Sequence, residues 1–221
     1  QTFIFVIMNI LIVGSGAREH TFAWKIYNSK KDVNLYATNP NAGMLDIVMP
    51  FYIDISNFEL IKQLIIKHSI SLVLVGPEIP LITGITDFIN NDKDLNSVKV
   101  IGPSMMGAKL EGSKEFAKNF MKRNNIPTGS YKSFTKDTFN EGIKFLKNNN
   151  PPYVLKADGP AAGKGVIIVD NVDDAIFNLE DMLINSRFGE SSQTVVIEEF
   201  LDGIEMSCFV LFDGLNYKIL P

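Results

Sequence analysis

The stretch Tyr153-Val-Leu-Lys156-Ala-Asp158-Gly159-Pro160-Ala-Ala-Gly163-Lys164-Gly165-Val166-Ile-Ile-Val169 restricts this chain more than any other. It reads as apolar strand, glycine-rich loop, apolar strand, an order that predicts a hairpin. Gly159, Gly163 and Gly165 let the backbone bend tightly and bring its N–H groups close to an anion. Lys156 and Lys164 place a cation on each side of the bend. A unit charge at about 4 Å is worth roughly 1 kcal/mol in water and about 4 at an effective dielectric near 20. A loop that closes over a polyphosphate and excludes water therefore strengthens its own grip. The P-loop pattern does not fit, because it needs a wider glycine spacing, a hydroxyl after Gly-Lys and a helix to follow. Here three residues separate Gly159 from Gly163, Gly165 stands at the hydroxyl position, and Val166–Val169 opens a strand. The stretch reads as a lid over phosphates. A glycine-rich turn with a solvated lysine is the plainer alternative.

Upstream, strands and helices alternate. Ile10–Val13 ends at Gly14-Ser-Gly16, and Ala17–Asn28 follows with helical periodicity. Val33–Ala37 predicts the next strand, and Pro50 confines Ile47–Ile53 to a short or edge element. Ser56 is a candidate cap for a helix running to His68, with Phe58, Ile61, Leu64 and Ile65 on one face. Ser71–Val75 is a continuous apolar run, as in a strand buried on both faces. A helix over about 81–90 and a strand at Val98–Ile101 follow. This alternation predicts a doubly wound parallel sheet with right-handed crossovers.

Ligands of such sheets lie at the carboxyl ends of the strands. Three loops gather there, carrying Gly14, Gly16, Arg18 and Glu19, then Asn41 and Gly43, then Gly76, Pro77 and Glu78. They form the candidate substrate pocket. A dinucleotide fits poorly: Glu19 occupies the third glycine position, and Thr38-Asn39 offers no acid after the second strand. Arg18 beside Glu19 suits a phosphorylated sugar, with a guanidinium fork for phosphate and a carboxylate for ribose hydroxyls. A solvated pair in the first turn of a helix is the alternative.

Downstream, a helix over Ser113–Asn125 is expected to turn Phe116, Ala117, Phe120 and Met121 inward. Lys114 lies in its first turn, where the helix dipole disfavours a cation. A nearby anion explains that placement, and a plain surface lysine explains it as well. Ile126-Pro127-Thr128 breaks the chain before a smaller α+β module. That module has a strand at Tyr131–Phe134, a helix at Asp137–Leu146, the hairpin and a helix at Val172–Ile184. Residues 188–193 look mobile. A strand from Thr194 then delivers Glu198 and Glu199 to its end, followed by Phe200, Leu201 and Glu205. Such an edge suits an adenosine, although a hairpin with solvated acids has the same pattern.

Composition narrows the partners. A net charge of −4 gives no global basic footprint for nucleic acid. The one cysteine, Cys208, excludes an internal disulfide and suits a reducing, cytoplasmic setting. Two histidines argue against a zinc site. Thr2–Val13 is nearly all apolar but too short to span a bilayer, and it lacks signal-peptide features, so no membrane partner is expected. Met8 looks like a natural start, which leaves residues 1–7 as an extension.

Taken together, these residues resemble the ATP-grasp superfamily and, within it, the phosphoribosylamine–glycine ligases. The resemblance rests on an ordered set of blocks: Gly14-Ser-Gly-Ala-Arg-Glu-His20, Asn41-Ala-Gly43, Gly76-Pro-Glu78, Leu110-Glu-Gly-Ser-Lys114, Lys156-Ala-Asp-Gly159, Ala161-Ala-Gly-Lys-Gly165 and Ile197-Glu-Glu-Phe-Leu201. Each block is weak alone, and their order is specific. The resemblance implies an α/β fold: a doubly wound N-terminal domain over 8–105, then an incomplete ATP-grasp domain. The latter would comprise a connecting helix at 106–126, a lid at 127–193 and the start of a second subdomain at 194–221.

It also implies ATP-dependent ligation of glycine to 5-phosphoribosylamine through a glycyl phosphate, with ATP and Mg²⁺ (or Mn²⁺) as cofactors. Lys114, Lys156 and the loop of Gly159, Gly163, Lys164 and Gly165 would hold phosphates. Glu198, Glu199, Phe200 and Leu201 would meet adenine, with Glu205 on the ribose. The sheet-edge loops, with Glu19 and Glu78, would hold phosphoribosylamine. Pro160 stands where the family more often has leucine. The family continues beyond the position matching Pro221, where its metal ligands and most of its glycine site lie. No metal ligand and no turnover are therefore expected from this chain alone. A different ATP-grasp ligase of purine synthesis and a non-catalytic nucleotide-binding module remain as alternatives. The oligomeric state is left open.

Overall fold

The computed structural model describes residues 7–29, 32–161 and 163–220. All but the last residue of the expected extension over 1–7 lies outside them. The first half runs β1 (Met8–Val13), α1 (Ala17–Tyr27), β2 (Val33–Thr38), β3 (Met49–Phe51), α2 (Phe58–Lys67), β4 (Leu72–Val75), α3 (Glu78–Ile82), α4 (Ile85–Asn91) and β5 (Lys99–Ile101). Its five strands pair in parallel in the order β3-β2-β1-β4-β5. This is the predicted doubly wound sheet.

The central strands show why it forms. Leu11, Val13, Val73 and Val75 pack on one face with Ile61, Ile65, Ile85 and Ile89. Ile10, Ile12 and Leu74 pack on the other with Ala23, Leu35 and Met44. Each such aliphatic side chain contributes roughly 1.5–3 kcal/mol when fully buried. Covering both faces at once needs helices on both sides, which parallel crossovers supply. Pro50 lies in edge strand β3, where its missing N–H costs no inner ladder bond.

Two local expectations are corrected. Asn57 caps α2, its Oδ1 accepting from Leu60 N at 3.3 Å, whereas Ser56 bonds Asp54 in the preceding turn. The helix expected over 81–90 is two helices, because Gly84 adopts φ +99° between them. The first of the two begins at Glu78 and so brings that carboxylate to the sheet edge.

Beyond β5, α5 (Met105–Gly112) and α6 (Lys114–Arg123) meet at Ser113, whose hydroxyl caps α6 by accepting from Phe116 N at 3.1 Å. Next come β6 (Tyr131–Thr135), α7 (Phe139–Lys147), β7 (Tyr153–Ala157), β8 (Val166–Val169), α8 (Val172–Leu183) and β9 (Thr194–Glu198). These four strands make an antiparallel sheet in the order β6-β9-β7-β8. Phe134, Leu155, Val195 and Ile197 pack against Leu146, Leu179 and Met182 of α7 and α8. Strand alternation therefore turns Lys156, Val166, Ile168 and Glu198 to the face without those helices.

Beyond β9, a separate antiparallel hairpin is formed by β10 (Val210–Phe212) and β11 (Tyr217–Ile219). Asp213 closes its turn by accepting from Leu215 N at 2.9 Å and Asn216 N at 2.6 Å. No helix among the described residues is long and apolar enough to cross a membrane.

Candidate active site

The first cluster is the carboxyl edge of the parallel sheet. Gly14, Gly16, Arg18, Glu19, Pro77 and Glu78 line a cleft of about 410 Å³ there. Glu19 is not a solvated first-turn acid. It is 4% exposed, and its Oε2 accepts from Gly16 N at 2.5 Å. Its Oε1 is buried without a hydrogen-bond partner among the described residues. A buried carboxylate oxygen in that position is costly unless a donor arrives.

Gly76 makes room for it, since a Cβ at that position would lie 1.8 Å from Oε1. Arg18 and Glu78 form an exposed pair at 3.3 Å, a contact weak enough to open for a phosphate. Asn41 and Gly43 do not line the cleft. Asn41 donates to Ser15 O at 2.9 Å and accepts from Gly43 N at 3.0 Å, stapling the second loop to the first. Thr38, noted in the sequence only as lacking an acid for a dinucleotide, is fully buried; its Oγ1 accepts from Gly14 N at 3.0 Å and holds the first bend.

The second cluster joins α6 to the antiparallel sheet. Lys156 of β7 and Lys118 of α6 both pair with Glu198 at the end of β9, one on each carboxylate oxygen. Burial pushes Glu198 up, but the hydrogen bonds from Lys118 and Lys156 outweigh it and hold the carboxyl below its ordinary value of 4.5. A depressed carboxylate contributes stability that is present above its unfolded value and lost as pH falls through the folded one. The melting-temperature gap between wild type and Glu198→Gln is therefore expected to close below about pH 4.5, and a gap still constant near pH 3 would contradict this pairing.

Lys114 lies beside them, and burial pulls its ammonium below the ordinary lysine value; Asp158 opposes that shift and Lys156 adds to it. Its Nζ donates to Asp158 O and Gly159 O, each at 3.4 Å. Asp158 in turn accepts from Glu115 N at 2.7 Å and Ser113 Oγ at 3.0 Å, tying the start of the glycine loop to the N-terminus of α6.

The loop itself is held from one side. Residues 188–193, which look mobile in sequence, are tied to the loop: Gly159 N donates to Ser191 O at 3.0 Å, and Ser191 Oγ donates to Pro160 O at 2.6 Å. Gly163 turns the tip with φ +77°, a conformation that L side chains rarely adopt, and Lys164 is exposed beside it. Gly165 returns the chain to β8 by accepting from Ala157 N at 2.7 Å.

The carboxylates past β9 differ from expectation in their partners. Each Glu198 oxygen meets one lysine, and each keeps a second lone pair as an acceptor. Glu199 is turned to the connection between α6 and β6, accepting from Ser130 N at 3.0 Å and Ser130 Oγ at 3.2 Å; the Ser130 backbone bond, then its hydroxyl, keep this carboxyl low. Phe200 and Leu201 are exposed, and Leu201 lies beside Gly129. Glu205 is exposed, with no hydrogen bond or ion pair among the described residues. No group of three acids, histidines or cysteines suited to a metal occurs among the described residues.

Sequence reasoning passed over Lys118, Asp158 and Ser191. The apolar set expected inward on α6 is only half-buried, and Lys118 is its one buried residue. The available signal was spacing, since Lys118 follows Lys114 by one helical turn and shares its face.

Comparison with known proteins agrees with this two-part architecture. The family described as phosphoribosylglycinamide synthetase, N domain, matches residues 8–111, and its ATP-grasp (A) domain matches residues 112–221. A phosphoribosylamine–glycine ligase of Halalkalibacterium halodurans is 42% identical over 94% of this chain and 47% of its own length. A bifunctional purine biosynthetic protein of Saccharomyces cerevisiae is 39% identical over 97% of the chain and 27% of its own length. The crystal structure of the Thermotoga maritima phosphoribosylamine–glycine ligase superposes with a TM-score of 0.73 at 30% identity, covering 97% of this chain and 49% of that one. The chain thus spans at most about half the length of these relatives. It belongs to the phosphoribosylglycinamide synthetase family, from the N domain into the ATP-grasp domain.

Proposed function

We propose that the protein carrying this chain ligates glycine to 5-phosphoribosylamine with ATP, in the cytoplasm, yielding glycinamide ribonucleotide, ADP and phosphate. The observation that carries this reading is the convergence of Lys114 and Lys156 beside the glycine hairpin. One carboxylate, Glu198, is shared there between two lysines, so the group keeps a net positive charge. Val166 and Ile168, 45% and 53% exposed on the same sheet face, offer an apolar surface for a purine ring. The donor set fits a nucleoside triphosphate, with ring on the strands and phosphates toward the lysines.

In this reading a glycine carboxylate oxygen attacks the γ-phosphorus and ADP leaves with the bridging oxygen. The amine of phosphoribosylamine then attacks the acyl carbon, expels phosphate and loses a proton. Lys114, Lys156 and the N–H groups of the loop neutralise charge on the transferring phosphoryl, and no protein nucleophile is needed. Mg²⁺ (or Mn²⁺), when bound, would supply further positive charge beside the phosphates, and no acidic cluster among the described residues is placed to hold it. Gly14, Gly16, Arg18, Glu19 and Glu78 hold phosphoribosylamine in the cleft, Arg18 toward its phosphate and Glu19 Oε1 toward a ribose hydroxyl. The units 8–105, 106–126, 127–193 and 194–221 serve as substrate domain, connecting helix, lid and start of the second subdomain. Glu199, Phe200, Leu201 and Glu205 border the adenosine.

In the full-length protein, ADP release is expected to require glycine and phosphoribosylamine together. Equal turnover with another carboxylic acid would assign a different ligase. Tight ATP binding without substrate-dependent ADP release would leave only a nucleotide-binding module.

A further inference from the structure

We infer that Lys118 is a positioning residue of the nucleotide site, acting through Glu198 to keep the Lys156 ammonium available for phosphate. The inference rests on the nucleotide reading above. Lys118 is 9% exposed, and its Nζ meets Glu198, Thr128 Oγ1 at 2.9 Å and Gly129 O at 3.4 Å. Those acceptors use all three ammonium protons, so Lys118 itself is committed and cannot turn to a ligand. Lys156 differs. Its side chain is 30% exposed, and Glu198 is the one acceptor it meets among the described residues.

Charge counting explains why two lysines are needed. Glu198 alone with Lys156 would be a neutral pair, and its carboxylate would draw the ammonium away from any incoming anion. Lys118 takes the second carboxylate oxygen, divides that attraction and restores one net positive charge. It also fixes the direction from which Glu198 holds Lys156. Because Lys118 grips Thr128 and Gly129 as well, the same ammonium ties the connection between α6 and β6 to the end of β9.

The test is steady-state kinetics and ligand competition in the full-length protein. Lys118→Met is expected to raise KM for ATP about 10-fold, while inhibition by adenosine, which lacks phosphates, changes less than about 2-fold. Lys118→Arg keeps the charge and is expected to retain most of the affinity. The decisive variant is Lys118→Met combined with Glu198→Gln. With the unbalanced carboxylate gone, it is expected to recover most of the ATP affinity that Lys118→Met alone loses, whereas a purely structural lysine would give no recovery. The double variant removes the two most buried charges of the cluster together and leaves only the partly exposed Lys156, so it serves also where the single one fails to fold.

Unchanged KM in Lys118→Met, equal losses for ATP and adenosine, or no recovery in the double variant would each overturn the inference. If Lys156→Met leaves ATP binding intact, the nucleotide reading itself fails. If Lys156→Met weakens binding and Lys118→Met does not, only the role of Lys118 fails.

Discussion

Lys156→Met in the full-length protein is expected to raise KM for ATP by about 100-fold, with KM for glycine nearly unchanged. The side chain is the outward member of the ion cluster, and its only charged partner among the described residues is a carboxylate that Lys118 already holds. Removing it therefore subtracts a positive charge from the phosphate region without releasing Glu198 to solvent. Truncating one partner of a hydrogen-bonded charge pair in an interface costs roughly 2–5 kcal/mol, which brackets the expected loss. Methionine keeps the length and apolar stem of lysine, so β7 should retain its pairing with β8 and β9. Isothermal titration with ATP and with adenosine separates the effects. Loss confined to ATP supports phosphate contact, and equal affinity for ATP in wild type and variant removes Lys156 from the site.

Gly76→Ala is expected to damage the other cluster as severely. The new Cβ would lie 1.8 Å from Glu19 Oε1, 2.4 Å from Cδ and 2.5 Å from Cγ, so Glu19 must leave its position. Its bond to Gly16 N, which closes the first turn of α1, goes with it. Overpacking of this kind costs about 1–3 kcal/mol of stability. Affinity for phosphoribosylamine is expected to fall by about 100-fold, because the displaced carboxylate no longer reaches the cleft. Combining Gly76→Ala with Glu19→Ala relieves the clash and is expected to restore thermal stability but not substrate affinity. A Gly76→Ala protein that binds and melts like wild type would show that Glu19 moves freely and that the close approach has no role.

The parallel-sheet half was largely legible because its signals are local or periodic. Apolar runs such as Ser71–Val75 state that both faces are buried, and glycine clusters mark the strand ends. The glycine hairpin was legible for the same reason, since a strand–loop–strand order allows few backbone paths. Local competition was harder to read. Asn57 displaced Ser56 as the cap of α2 because Ser56 had a nearer partner in Asp54. The split at Gly84 depends on a left-handed backbone whose need arises only when α3 and α4 pack.

Residue type and order determined that this chain builds a parallel sheet, then a glycine-loop hairpin, and which positively charged and acidic residues stand near their ends. Tertiary structure alone decided how those charges are shared. Lys118 reads as a surface residue of a basic, amphipathic helix, and it becomes buried only because β9 brings Glu198 to it. The sequence leaves Glu19 either a ribose-binding carboxylate or a solvated acid, and only packing against Gly76, just past β4, buries it. Periodicity records which side of an element is apolar, whereas burial of a charge depends on a partner arriving from a distant part of the chain. That partner is set by packing, and its energy appears only once water has been excluded.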